Sequence, residues 1–288
     1  MNFKELTKPI LNSQEQEFNY NSVYSRTLVD LTKPIMLPPT ALGIGYHNYK
    51  GNEYLNNTFS YGEFSTIVAR SKSKKTFCKS SYIAGFIGGK SDKYFPSFKT
   101  QRQGEPHIID IDTEQGEYYA KRAFRRVTEM VGETYNNYYP FGVEELEPEE
   151  IVKFIDSLFN DPRHKGKIKW LSIDGIADLV KNTNDIIESV AVATKLKKWR
   201  KENNCHIQNI IHKISGGDKA TGHLGSYVQK KSETVIDLRD TNEDPKVKNS
   251  PIEVVQSYSR GAPFDPYYFK INEEALPYEC DNNIASWT

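Results

Sequence analysis

Residues suited to chemistry gather at four places where a short apolar run gives way to polar residues. After the run from Phe64 to Ala69 comes Ala69-Arg70-Ser71-Lys72-Ser73-Lys74-Lys75-Thr76. Set against the pattern G-x-x-x-x-G-K-[ST], this octet keeps Lys75 and Thr76 and has Ala69 and Lys74 where glycines would stand. The N–H groups of such a loop and the start of the next helix favour a phosphate, Lys75 reaches terminal phosphates, and Thr76 holds Mg2+. Lys74 must then accept whatever dihedrals the loop imposes. A basic solvated turn is the other reading of the same octet. The second place is Asp112-Thr113-Glu114-Gln115-Gly116. A carboxylate here can orient or deprotonate a water attacking a γ-phosphate, and acidic residues also suit a helix N-terminus. The third, Leu171-Ser172-Ile173-Asp174, is an apolar run closing on one Asp, the arrangement that holds Mg2+ directly or through water. The fourth is His212, a polar strand-tip residue able to sense a γ-phosphate, followed by a glycine-rich loop with Lys213, Lys219 and His223.

These residues need elements to hold them. The runs Phe64 to Ala69, 107–112 (HIIDID), 168–174 (IKWLSID), 206–211 (HIQNII), 234–238 (TVIDL) and 252–258 (IEVVQSY) read as strands. Helices are expected over Thr76 to Ile87, Gln115 to Val131, from Pro148 onward, and over Thr183 to Lys201. The spacing of Ala120, Phe124, Val127 and Val131 has the helical period. Ile151, Phe154, Ile155 and Leu158 form the stripe of the third helix; Ile186, Ile187, Val190, Ala193 and Leu196 are expected inward on the fourth. Strands alternating with helices predict an α/β fold, a mainly parallel sheet covered by helices on both faces, with antiparallel strands at its C-terminal edge. Ligands collect beyond the carboxyl ends of such strands, where all four groups lie. A second octet, Ala84 to Ser91, fits the glycine pattern better but continues the helix and meets Pro96, so it reads as helix end and loop.

Residues 1–60, polar and rich in Asn and Tyr, read as an irregular N-terminal segment, 61–272 as the core, and 273–288 as a tail. The chain has 288 residues, with 38 Lys+Arg against 38 Asp+Glu. That balance argues against a basic coat for nucleic acid, for which a domain pI above ~9 is usual. No apolar run approaches the ~18 residues of a membrane span, and the N-terminus lacks a signal-peptide layout, so a cytoplasmic protein is expected. Cys78, Cys205 and Cys280 support neither a disulfide framework nor a zinc site, and no ligand spacing links the six histidines.

The order of the four groups, together with Gly175 to Leu179 and Lys219 to Ser226, resembles the RecA-like P-loop ATPase family, in the branch of DnaB- and RepA-type hexameric helicases and phage recombinases. The likeness is greatest to RepA-like ATPases of Bacteroidetes-type bacteria, their mobile elements and phages, where K-S-[RK]-K-T-F is a familiar phosphate loop. It covers roughly residues 60–272. It implies an ATP hydrolase using Mg2+, with the octet 69–76 around the nucleotide, Thr76 and Asp174 at the metal, Glu114 activating water and His212 as sensor. Ser259-Arg260-Gly261-Ala262-Pro263 resembles the segment whose arginine reaches the next subunit's nucleotide, which makes Arg260 the expected finger; a lysine usual two residues earlier is Tyr258 here. The resemblance further implies a hexameric ring or filament moving on single-stranded DNA, with Lys181, Lys213, Lys219 and His223 on the channel loops. An inserted stretch near 88–105 interleaves Lys90, Lys93, Lys99 and Arg102 with Tyr94, Phe95 and Phe98, which could grip single strands or form an ordered surface loop. A recombinase, or a nucleotide-binding regulator with weak hydrolysis, are the alternatives.

Overall fold

The structure is a computed structural model and describes residues 18–70, 73–213, 220–242 and 249–281. Two units divide it between Leu37 and Pro38. In the first, a short helix α1 (Tyr20–Thr27) starts at Asn19, whose side chain accepts from the Ser22 N–H. The second unit holds everything else.

Its strands are β1 (Thr40–Ile44), β2 (Tyr46–Tyr49), β3 (Asn52–Leu55), β4 (Phe59–Ser60), β5 (Phe64–Ala69), β6 (Phe98–Thr100), β7 (His107–Asp112), β8 (Tyr138–Gly142), β9 (Ile168–Asp174), β10 (His206–His212), β11 (Thr234–Asp240), β12 (Ile252–Ser259), β13 (Tyr267–Ile271) and β14 (Pro277–Cys280). Its helices are α2 (Lys75–Ile87), α3 (Glu117–Val131), α4 (Pro148–Asn160), α5 (Ile186–Asn203) and α6 (Gly222–Lys231). Nine strands form one sheet in the order β14-β13-β12-β11-β5-β10-β9-β7-β8. The six from β11 to β8 run parallel, and β12, β13 and β14 are antiparallel. The expected antiparallel C-terminal edge is therefore present, and it extends through Cys280 into the stretch read as a tail.

Alternation along the strands sends one set of side chains to each face. Ile67, Ala69, Ile108, Trp170 and Ile210 pack toward α2 and α3. Phe64, Val68, Ile109, Ile111, Leu171, Ile173 and Ile211 pack toward α4, α5 and α6. On the first face α2 is enclosed by a small antiparallel sheet, β4-β1-β6. Gly85 permits that closeness, since a Cβ there would stand 2.8 Å from the Phe98 ring.

Several expectations change. Residues 40–60 are not irregular: Ala41, Leu42, Ile44 and Phe59 belong to the core that covers α2. The insertion at 88–105 is a packing element, because Phe95 and Phe98 are buried and β6 pairs with β1. β8 was not expected. It is short and contains Pro140, which a strand tolerates at a sheet edge, where no second partner needs its N–H. On α5 the inward residues are Ser189, Val192, Ala193, Leu196 and Trp199; Ile186, Ile187 and Val190 are exposed. The helix begins three residues later than expected, at Ile186, after the cap Asp185, whose side chain accepts from the Glu188 N–H. α4 opens as its sequence demands, with Pro148 in the first turn and a reciprocal Glu147–Glu150 capping box. The octet 84–91 is helix end and loop, with Gly88 at φ 91° closing α2.

Candidate functional site

The parallel strands end on one rim, and four of the tips make the site. β10 lies beside β5, so His212 is level with Ala69. β7 lies beside β9, so Asp112 is level with Asp174. Between β5 and α2 the loop carries Arg70, Ser73 and Lys74; Ser71 and Lys72 lie outside the described residues. Lys74 caps α2 in the left-handed region, φ 62° and ψ 26°. This is the glycine-like demand that the sequence pattern places on that position. No described side chain caps α2, so the helix presents its first N–H groups and the positive end of its dipole to the rim.

Lys75 Nζ lies 3.1 Å from the Arg70 carbonyl and 2.9 Å from His212 Nδ1. An ammonium has no acceptor, so Nδ1 accepts and the Nε2–H is left to donate. It faces Glu114, 3.2 and 3.3 Å from the two carboxylate oxygens. That hydrogen bond, with His212 and Lys75 nearby, holds Glu114 below the usual carboxylate range, and burial lowers the Lys75 ammonium. Glu114 is set in place by Asp112, whose carboxylate accepts from the N–H groups of Glu114 and Gln115 and from the Gln115 side chain. Burial pushes the Asp112 carboxyl up to about 6. Thr113 ties the same turn to β9, donating to the Asp174 carbonyl and lying 2.6 Å from an Asp178 oxygen. Gly175, at φ 97°, leaves room for Thr113 and Glu114, which a Cβ would displace.

The open cleft measures about 400 Å³, and its lining includes Lys74, Lys75, Thr76, Glu114, Asp174 and His212. Its other wall was not anticipated: Phe77 on α2, and Tyr119, Arg122 and Arg126 on α3. The Arg126 guanidinium stacks 3.6 Å from the Phe77 ring centre and donates to Ser80 Oγ and the Ala275 carbonyl. Burial pushes it down to about 10. A cleft with lysines and arginines on its walls and carboxylates at one end suits a polyanion carrying a cation.

The residues fit a hard divalent cation. The Asp174 carboxylate lines the cleft with Oδ2 turned to the Lys79 ammonium at 3.4 Å, and Thr76 supplies a hydroxyl on the same cleft. Among the described residues no cluster of three or more His, Cys, Asp or Glu could cage a metal. One carboxylate and one hydroxyl, with phosphates and water completing the shell, is the way Mg2+ is bound.

Arg260 is elsewhere. β12 is antiparallel to β11, and Thr234, opposite Ser259, is level with Ser65 at the start of β5. Arg260 thus sits at the end of the sheet remote from Lys75. It is half-exposed, 4.0 Å from Glu63, and its guanidinium donates to the Lys231 carbonyl. Lys181 is exposed and ion-paired to Glu149 at 2.8 Å. Lys213 is 6% exposed and paired with Asp237 at 2.8 Å. His223 is exposed at the start of α6, and Lys219 lies outside the described residues.

The fold and this rim define a RecA-like α/β core. No protein-family model matches the sequence, and no curated protein does. Among solved structures, the chain is similar in fold to a KaiC-like protein from the hyperthermophilic archaeon Pyrococcus horikoshii OT3. That match has 13% identity and a TM-score of 0.51, and covers 78% of this chain and 92% of the other. Among the described residues no helix is long and apolar enough to cross a membrane.

Proposed function

We propose that this chain is an Mg2+-dependent ATP hydrolase that works as a motor on single-stranded DNA, of the replicative helicase or translocase kind. The observation that supports it most is the convergence of Lys75, His212, Glu114 and Asp174 on one cleft at the uncapped start of α2. In this reading the loop 69–76 cradles the phosphates. Mg2+ held by Thr76 and Asp174 would offset the charge that develops on the transferred phosphoryl group. Glu114, held ionised, accepts the proton of the attacking water. His212 orients Glu114 through Nε2–H and is released at Nδ1 as Lys75 turns to the γ-phosphate. Arg260, too far from its own cleft, serves the cleft of a neighbour in a ring or filament, adding positive charge where the phosphoryl group transfers.

ATP turnover by the purified chain, measured with and without single-stranded DNA, tests this. Stimulation by the strand, lost in Lys75→Ala, is expected. Undiminished turnover in that variant overturns the assignment. The second reading, a nucleotide-binding regulator with weak hydrolysis, draws on the burial of Lys213 and the pairing of Lys181, which engage two of the cations expected to face a strand. It calls for nucleotide binding without strand-stimulated turnover. Displacement of a forked duplex, against annealing of complementary strands, separates a helicase from a recombinase.

A further inference from the structure

Beneath the cleft lies an ion pair with no part in the chemistry above. Lys79 stands one turn after Lys75 on the same face of α2 and is completely buried. Its Nζ is 3.0 Å from Asp110 Oδ1 and 3.4 Å from Asp174 Oδ2. Asp110 is buried as well, and its other oxygen accepts from the Tyr138 hydroxyl at 2.7 Å. Strand register explains the meeting. Asp110 is level with Ser172 and Asp112 with Asp174, so alternate residues of β7 and β9 place these carboxylates on the face that α2 covers.

A buried ion pair is no more stabilising than apolar residues of the same volume, so packing alone does not call for a lysine here. The tie is geometric. It joins α2, which starts with Lys75 and Thr76, to the tips of β7 and β9, and it meets the Asp174 oxygen that has no hydrogen bond. Asp112 cannot do this, since its oxygens are taken by Glu114 and Gln115.

We propose that Lys79, anchored by Asp110, is a positioning residue that fixes the Asp174 carboxylate so that its other oxygen is aimed at the metal of a bound Mg2+–nucleotide. The inference rests on reading the cleft as a nucleotide site.

Lys79→Met alone leaves Asp110 charged and unpartnered in the interior, which endangers folding. The deciding variant is Lys79→Met with Asp110→Asn. It removes one charge of each sign, leaving the net charge around the metal unchanged, so that only the tie is lost. Mn2+ affinity is read by electron paramagnetic resonance with a non-hydrolysable ATP analogue present, and affinity for the metal-free analogue by calorimetry. Loss of a partner behind a metal ligand should weaken Mn2+ by about 10-fold and leave metal-free binding within about twofold. Unchanged Mn2+ affinity overturns the proposal. Equal loss of both affinities, or failure of the neutral pair to fold, also overturns it, because the pair would then be purely structural. A wild-type chain that binds neither analogue nor Mn2+ overturns the functional reading itself and this inference with it.

Discussion

Lys74 offers a sharp test of the phosphate loop, because its backbone demands what its side chain resists. At φ 62° it occupies the left-handed region, which costs a residue with a Cβ about 1–2 kcal/mol. Glycine there escapes that cost but gives up about 0.5–1 kcal/mol through its freer unfolded chain. The Lys74 ammonium also donates to the Ser250 carbonyl at 3.3 Å, a contact that both Lys74→Gly and Lys74→Ala remove. Comparing those two variants therefore isolates the backbone. Glycine should be the more stable by about 0.5–1 kcal/mol, or roughly 2 °C in melting temperature for a domain of this size. At an ordinary helical position the order is reversed, alanine being better by about 1 kcal/mol. Thermal melts of both variants, with nucleotide-analogue binding measured alongside, decide the matter. A Lys74→Ala chain that melts at or above Lys74→Gly refutes the left-handed cap, and with it the claim that the loop keeps its geometry without glycine.

Glu114→Gln preserves size and the acceptor for His212 but removes the proton acceptor; ATP turnover should fall about 100-fold or more while analogue binding holds, and equal loss of both would show a binding role. Arg260→Ala mixed with Lys75→Ala should regain turnover that neither has alone, since on the proposed reading Lys75 and Arg260 come to a site from different subunits. In a randomly mixed 1:1 assembly about a quarter of heterologous interfaces carry both residues, and a mixture as inactive as its components would show that Arg260 has no such role. Glu233, buried against Ser60, is pushed up to about 7 by burial. Its protonated form is favoured by folding, so its contribution is full below about pH 4.5 and lost as pH rises toward 7. Glu233→Gln should thus melt higher than wild type at pH 8 and nearly equal to it at pH 5; no difference between the two pH values would refute the assignment.

The parallel core, β8 apart, was legible because its strands are short, largely apolar runs that differ in pattern from the helices between them. Four residues of the candidate cleft were legible for the same reason: Asp174 and His212 close their strands, Glu114 stands two residues past β7, and Lys75 opens α2. What escaped notice depends on tertiary packing. Tyr138 to Gly142 carries Pro140 and has no fully buried residue, so its pattern is not that of a buried strand. The α5 stripe was misread because Ile186, Ile187 and Val190 are apolar yet exposed, while Ser189 and Trp199 face inward. Residues 40–60 look polar, and only the fold shows that β1 and β4 cover α2. The α3 wall with Arg122 and Arg126 has no motif, since it is brought to the cleft by the packing of α3 on α2. Lys79 and Asp110 did leave a signal: a lysine four residues after Lys75 and an Asp inside an apolar strand point to the same interior.

The chain of contacts from Lys75 to His212 to Glu114 spans the tips of β5, β10 and β7, and on the proposed reading it would carry the effect of a bound phosphate beyond the cleft. A ligand shifts an equilibrium only through contacts that differ between the two states. His212 has such a difference, because a phosphate drawing Lys75 away from the Arg70 carbonyl also takes it from Nδ1. The His212 carbonyl in turn accepts from both the N–H and the hydroxyl of Thr221, which closes the loop between β10 and α6. The Thr183 carbonyl, in the segment after Asp174, accepts from the Leu224 N–H in the first turn of α6. These bonds join the β10 tip to the start of α6 and, through Thr183, to the segment after Asp174, the two rim segments that carry His223 and Lys181. Overall neutrality does not weaken that coupling, since it runs through hydrogen bonds within one rim and needs no long-range field.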